Sequence, residues 1–403
     1  MRKICLTVVG LYLGLLHAFS QFYPVEKTSY QQRSLKLDEV NLVSSYYWQN
    51  GNHSAVTGGI GTEQGTDLAN GLELKWLGYD LDTNKHSLTA SLGIDHHSSA
   101  SQAYVSKDGS SKSDGLRIYP ELSYTAENRK NGSELSIGAY YSSEYSYHSL
   151  GLNTGYSQKN ASNGEYSIKI NAFYDRVKLI YPSELRTSTA VVVTSASGAG
   201  GSASIPSNPR FTLDGSFGFA QVINPRMQVS LATDLVFQSG DLGLPFHRVY
   251  FTDGTEAVET LPSIRLKFPV GLRLNYFAGD NVIIRAYYRF YLDTWGILSH
   301  TANLELPVKL TPFFSISPFY RYYIQTAANY FAPYGMHSRN DAFFTSNYAL
   351  SAFSSQFFGI GFRTTFIKSI GSLGLNGIEA RFGHYAQTTD LVSNVISVNL
   401  KFK

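Results

Sequence analysis

Ile264-Arg265-Leu266-Lys267-Phe268-Pro269-Val270-Gly271-Leu272-Arg273-Leu274-Asn275-Tyr276 is the stretch that decides the fold. Every second residue is apolar, and the residues between are charged, polar, Pro or Gly. A period of two is the signature of a β-strand with unlike faces. The next segment repeats it with Val282, Ile284, Ala286, Tyr288, Phe290 and Leu292. One face of each strand meets something apolar, while the other carries several cations.

Working outward, the same alternation predicts strand cores at 39–48, 71–82, 86–95, 115–125, 133–142, 146–156, 165–175 and 210–222. It continues at 226–237, 263–276, 281–292, 297–310, 313–325, 356–366, 377–385 and 392–402. Each is long enough to cross a bilayer as a tilted strand. The connections alternate in length. Long ones fall at 49–70, 96–114, 176–209, 238–262 and 326–355. Short ones fall at Thr83–Lys85, Glu127–Gly132, Ile223–Pro225, Phe277–Asp280 and Leu310–Pro312. A soluble sandwich has no reason to keep such an asymmetry, whereas an outer-membrane barrel has. The fold class expected is therefore all-β: a transmembrane outer-membrane barrel of about 16 antiparallel strands, with 14 also compatible. Clustered rings such as Tyr46-Tyr47-Trp48 and Phe357-Phe358 suit the membrane interfaces.

Composition agrees. The chain has 403 residues, 16% of them charged and 14% aromatic, with a single Cys. Disorder and a disulfide scaffold are excluded. A formal net charge of +3 gives no reason to expect nucleic acid as a partner.

Arg2 and Lys3, an apolar stretch from Ile4 to Leu16 and Ala18-Phe19-Ser20 read as a signal peptide over residues 1–20. The domain reading is completed by a periplasmic N-terminal segment at 21–38 and a barrel with long extracellular loops at 39–403. The expected location is the outer membrane of a Gram-negative bacterium. The partners implied are its lipid bilayer and the barrel-assembly machinery, which would read the alternating end Val398-Asn399-Leu400-Lys401-Phe402-Lys403.

Several stretches resemble an outer-membrane protein family common in Bacteroidetes and known only as a domain of unknown function. They are Ser45-Tyr46-Tyr47 with His53-Ser54-Ala55-Val56-Thr57-Gly58-Gly59-Ile60-Gly61-Thr62-Glu63, then Phe246-His247-Arg248-Val249-Tyr250-Phe251, then Tyr287-Tyr288-Arg289-Phe290-Tyr291. Pro318-Phe319-Tyr320-Arg321-Tyr322-Tyr323 and Tyr330-Phe331-Ala332-Pro333-Tyr334 complete the set. The resemblance runs from about Asn41 to Lys403. It implies a barrel without a settled activity. Members of that family are often encoded beside thioredoxin-like and flavin-transferase proteins, so the resemblance also implies periplasmic or lipoprotein partners in a redox setting.

The face opposite the apolar one carries a basic belt: Arg265, Arg273, Arg285, Arg289, Arg321, Arg363 and Arg381, with Glu305 among them. Two roles are open for it. It can form a solute path that favours anions, or it can hold an inward-folded loop as a plug. Tyr119, Tyr140, Phe173, Tyr287, Tyr291, Phe319, Tyr323 and Phe357 share that face, which suggests a narrowed lumen. His53, His96, His97, His247 and His337 fall in expected long loops and are candidate ligands for a divalent ion. Gly58-Gly59-Ile60-Gly61 lacks the strand–helix context of a phosphate loop and reads as a tight, flexible outer loop. Ser299 and His300 are adjacent on a strand and so point to opposite faces. No catalytic constellation and no cofactor are expected. The function expected is a selective channel or gated transporter for a small anionic or polar solute. The alternative is a non-conducting scaffold for envelope lipoproteins. Protease added to intact cells is expected to cut within Ser106–Ser113 or Ser195–Ser207 and to spare Thr83–Lys85 and Leu310–Pro312. Cutting confined to the short turns would invert this topology.

Overall fold

A computed structural model describes residues 32–99, 115–185, 205–370 and 374–403. The expected signal peptide, the Ser106–Ser113 segment and most of Ser195–Ser207 lie outside these residues. Sixteen antiparallel strands form one closed barrel. They are β1 (Arg33–Asn50), β2 (Gly65–Tyr79), β3 (Lys85–Ser99), β4 (Gly115–Asn128), β5 (Ser133–Ser143), β6 (Tyr147–Lys159), β7 (Gly164–Lys178) and β8 (Ser207–Asn224). There follow β9 (Met227–Gly240), β10 (Ile264–Phe277), β11 (Ile283–Asp293), β12 (Leu298–Glu305, resumed as Val308–Thr311), β13 (Phe314–Gln325), β14 (Phe353–Ile370), β15 (Leu375–Gln387) and β16 (Val392–Phe402). Each pairs with its neighbours in sequence. The barrel closes where β1 meets β16, from Val40 opposite Phe402 to Asn50 opposite Val392. Closure leaves no unpaired strand edge, and this is how a sheet satisfies its backbone in lipid.

All the expected strand cores fall on these strands, with two adjustments. β1 starts at Arg33, so the end of the expected 21–38 segment is strand, with register shifts at Arg33/Lys36 and Leu37/Glu39. β2 runs from Gly65 to Tyr79, earlier than expected, because the first long loop is only 51–64. Pro307 has no N–H to give the ladder, and β12 breaks there. The Leu306 N–H still reaches the Pro318 carbonyl at 3.0 Å, so the strand carries on past the break.

The apolar face is on the outside. Ile137 is 61% exposed, Leu152 60% and Leu272 49%. In water each such side chain would forgo roughly 1.5–3 kcal/mol of burial. A bilayer supplies that burial, and the barrel is therefore a transmembrane one.

Polar residues and a subset of the rings, among them Tyr119, Phe173, Tyr287, Phe319 and Phe357, face inward. Several of the inward rings share the wall with open space, lining cavities of about 920 and 690 Å³. They lie flat across inward glycines of neighbouring strands. A Cβ on Gly93 would fall 2.0 Å from the Tyr119 ring, one on Gly151 2.7 Å from Phe173, and one on Gly271 2.8 Å from the Tyr287 hydroxyl. The same holds for Gly359 beneath Phe319, at 2.7 Å, and Gly383 beneath Phe357, at 2.5 Å. The missing side chains make room for rings against the wall. Gly383→Val should therefore destabilise the barrel by about 1–3 kcal/mol through overpacking. Adding Phe357→Ala should return most of that loss. Urea unfolding in detergent micelles checks both, and equal losses in the single and double variants would contradict the packing.

Candidate functional site: a basic lumen wall beneath a loop cap

The described parts of the long loops, 51–64, 241–263, 326–352 and the Ser183–Leu185 turn, meet over one end of the barrel. A short hairpin pairs Arg248–Tyr250 with Glu256–Val258 inside the 241–263 loop. That loop is stitched by backbone bonds to the 326–352 loop. The Phe344 N–H donates to the Thr260 carbonyl at 2.8 Å, and the Thr252 N–H to the His337 carbonyl at 3.0 Å. Arg248 ties in two more loops. Its side chain is 2% exposed, its Nη1 donates to the Val56 carbonyl at 2.7 Å, and its Nε donates to Glu184 of the Ser183–Leu185 turn. Gly58 and Gly59 have φ of 82° and 85° and touch this assembly directly. A Cβ on Gly58 would fall 2.6 Å from the Tyr250 ring, and one on Gly59 2.5 Å from the Ser346 carbonyl. The glycine run is thus a tight packing surface pinned under two other loops, where sequence suggested a flexible loop.

Beneath Arg248 lies a second buried anchor. The Glu259 carboxylate accepts from the Leu244 N–H at 2.8 Å and the Thr345 hydroxyl at 2.5 Å, and stands 3.7 Å from His247 Nδ1. Burial alone would raise its pKa. His247, Thr345 and the backbone N–H outweigh burial and hold it below the ordinary carboxylate range. Glu63, across the cap, moves the other way: burial raises it, with His53 and His247 only partly offsetting. Burial also pushes the Tyr250 hydroxyl up to about 12, helped by its bond to Glu256.

The five loop histidines do not converge. His53 Nδ1 bonds the Gly59 carbonyl at 2.9 Å and its ring stacks on Tyr348 at 3.7 Å. His247 faces Glu259, while His337 Nε2 bonds the Thr345 carbonyl at 2.9 Å. His96 and His97 lie on β3, not in a loop, and strand alternation sends them to opposite faces. His97 pairs with Glu144 at 3.5 Å. Among the described residues no three His, Cys, Asp or Glu side chains are grouped to hold a metal ion.

Below the cap the expected basic belt lines the lumen as a ladder. Arg265 is nearest the cap. It grips Asp293 at 2.5 Å and lies 4.1 Å over the Trp295 ring, part of an apolar cluster with Ile297 and Ala328. Arg289 comes next. Its Nε has no hydrogen-bond partner among the described residues, nor has the hydroxyl of buried Thr301 opposite it. Arg273, Arg285, Arg321 and Arg381 then line a cavity of about 920 Å³ that contains one carboxylate, Glu305. Glu305 stands 3.5 Å from Arg285 and 3.6 Å from Arg381. Arg363 borders a second cavity, of about 690 Å³, with Glu379 beside it in register and Glu39, Glu73 and Glu121 on β1, β2 and β4; Lys401 also lines it and pairs with Glu39 at 2.6 Å. Among the described residues, the ion pairs of Arg285 and Arg381 run to strand residues and not to the cap. The loops are held by Arg248, Glu259 and Thr345, none of which alternation singles out. Only Arg248 had a signal, its place in the family-like Phe246–Phe251 run; Glu259 and Thr345 had none.

Two outcomes are expected of the cap. Arg248→Met should cost it about 3 kcal/mol, because Glu184 and the Val56 carbonyl lose a buried cation. Faster amide exchange across 51–64 and 241–263, with the strands unchanged, would show this. Glu259 has a depressed pKa when folded, so its contribution is present above the unfolded carboxylate pKa and is lost as pH falls through the folded value. Cap exchange should therefore rise only below about pH 4. In Glu259→Gln it should already be fast at neutral pH. Wild-type exchange that accelerates near pH 6 would assign the effect to another group.

The family described as "Protein of unknown function (DUF3570)" matches residues 117–395. No curated protein matches the chain in sequence. Among solved structures, the chain is similar to the "TodX deltaS2S3 mutant monoaromatic hydrocarbon channel", with 10% identity, a TM-score of 0.41 and coverage of 90% of this chain and 89% of that one. It is also similar to OccK9 (OpdG) of Pseudomonas aeruginosa, at 7% identity, a TM-score of 0.40 and coverage of 90% and 97%. A "Bacterial polysaccharide outer membrane secretin" gives 10%, 0.43, 90% and 98%. Scores of this size carry no argument about activity.

Proposed function

We propose, for a chain that belongs to the DUF3570 family, an outer-membrane channel that favours small anions and is closed by its own loops at the outer end. The observation that carries this reading is the charge of the lumen wall. Four guanidiniums meet one carboxylate in the 920 Å³ cavity, while Glu39, Glu73 and Glu121 of β1, β2 and β4 line the neighbouring cavity. A lumen with cations on one side and carboxylates on the other has a transverse field. Low-dielectric walls concentrate that field, so an anion gains more there than beside the same charges in water. The outer-membrane location is supported by the lipid-facing apolar belt and the signal-like start. The alternating C-terminal strand supports delivery by the barrel-assembly machinery.

The interlocked cap favours a second reading, a non-conducting barrel that serves as a scaffold for envelope lipoproteins. Planar bilayers separate the two. Wild type should conduct weakly and show anion preference in its reversal potential across a salt gradient. Arg248→Met should raise conductance. Arg273→Gln with Arg321→Gln should reduce anion preference severalfold while leaving the folded barrel intact, since lumen changes tune selectivity more than stability. Cation preference in wild type would overturn the anion path. Silence in both wild type and Arg248→Met would favour the scaffold.

A further inference from the structure

We propose that the 920 Å³ cavity is a binding site for a small aromatic carboxylate, which narrows the anion-path reading and rests on it. The wall carries two kinds of group in alternation. Arg321 lies 5.5 Å over the Phe357 ring, Arg381 5.1 Å over Phe319 and Arg273 5.6 Å over Tyr287. Phe319 and Phe357 are themselves 5.2 Å apart. Because inward glycines seat these rings flat on the strands, they line the cavity beside the cations without blocking it.

The cavity also shows how it takes a carboxylate. Glu305 stands between Arg285 and Arg381, within 3.5 and 3.6 Å. Arg273 and Arg321, on the flanking strands, have no ion pair among the described residues and are 36% or more exposed to the lumen. They share the register row Arg273–Tyr287–Asn303–Arg321, one inward position nearer the loops than Arg285 and Glu305, and present donors to a second carboxylate there. An inorganic anion or an aliphatic acid would satisfy those guanidiniums and leave the ring surfaces in water. An aromatic acid satisfies both. Its carboxylate accepts from Arg321 and Arg273, and its ring packs against Phe357 and Phe319 in an offset or edge-on contact. The space is of the size that small-ligand sites usually have.

Calorimetry on the full chain in detergent, with benzoate, cyclohexanecarboxylate and acetate as probes, tests this. Benzoate should bind about fivefold more tightly than cyclohexanecarboxylate, the size of a modest aromatic contact, and acetate most weakly. Phe319→Leu with Phe357→Leu should erase the difference between the two ring acids and leave weak binding of both. Phe357→Tyr should keep it, which guards against misfolding of the double variant. Arg321→Gln should weaken benzoate and cyclohexanecarboxylate alike. Equal binding of the two acids, with both lost in Arg321→Gln, would overturn the aromatic class and leave the anion path standing. Binding that ignores Arg321 altogether, together with absent anion preference in bilayers, would overturn both.

Discussion

A barrel in lipid has its solvent inverted, and everything else in this structure follows from that constraint. Hydrocarbon rewards apolar side chains outside, and backbone polar groups have no water to turn to. Closure of β1 on β16 answers the second demand, and period-two alternation answers the first. What remains is an interior populated by whatever the other face carries. Here that face carries arginines, carboxylates, serines and rings, and its chemistry is free to vary because the fold does not depend on an apolar core.

Three devices shape that interior. Glycine beneath ring keeps a ring-rich wall from becoming a filled one. Segregation of charge, basic on β10 to β15 and acidic around β1 to β4, turns a nearly neutral chain into a lumen with a direction. The described loops are then tied together over one end by buried polar contacts that work as a set: Arg248 with Glu184 and the Val56 carbonyl, and Glu259 with His247, Thr345 and the Leu244 N–H. Buried charge without its partners is costly, so the contacts of such a set are kept or lost together.

Much of this was legible in the sequence. Alternation in Ile264–Tyr276 sets the faces of β10, and the same reading places Arg285, Arg321 and Arg381 inward on neighbouring strands, because side-chain direction on a strand is a local property. The cap was not legible. Contacts between Val56, Glu184 and Arg248 join residues far apart in the chain, and loops have no periodicity to report them. Arg265 shows the intermediate case. Its face follows from alternation, but its duty, gripping Asp293 beneath Trp295, depends on how high it stands beneath the loops. Gly58 and Gly59 were visible as glycine, yet only the packed Tyr250 and Ser346 explain why side chains are excluded at those two positions.

The central claim is that the arginine wall holds anions, and bromide makes that directly visible. Crystals of the full chain soaked in sodium bromide and measured at the bromine absorption edge should show anomalous peaks in the lumen beside Arg273 and Arg321, and near Arg289 opposite Thr301. Peaks confined to the barrel's outer surface, with those guanidiniums paired instead to carboxylates of the chain, would contradict it.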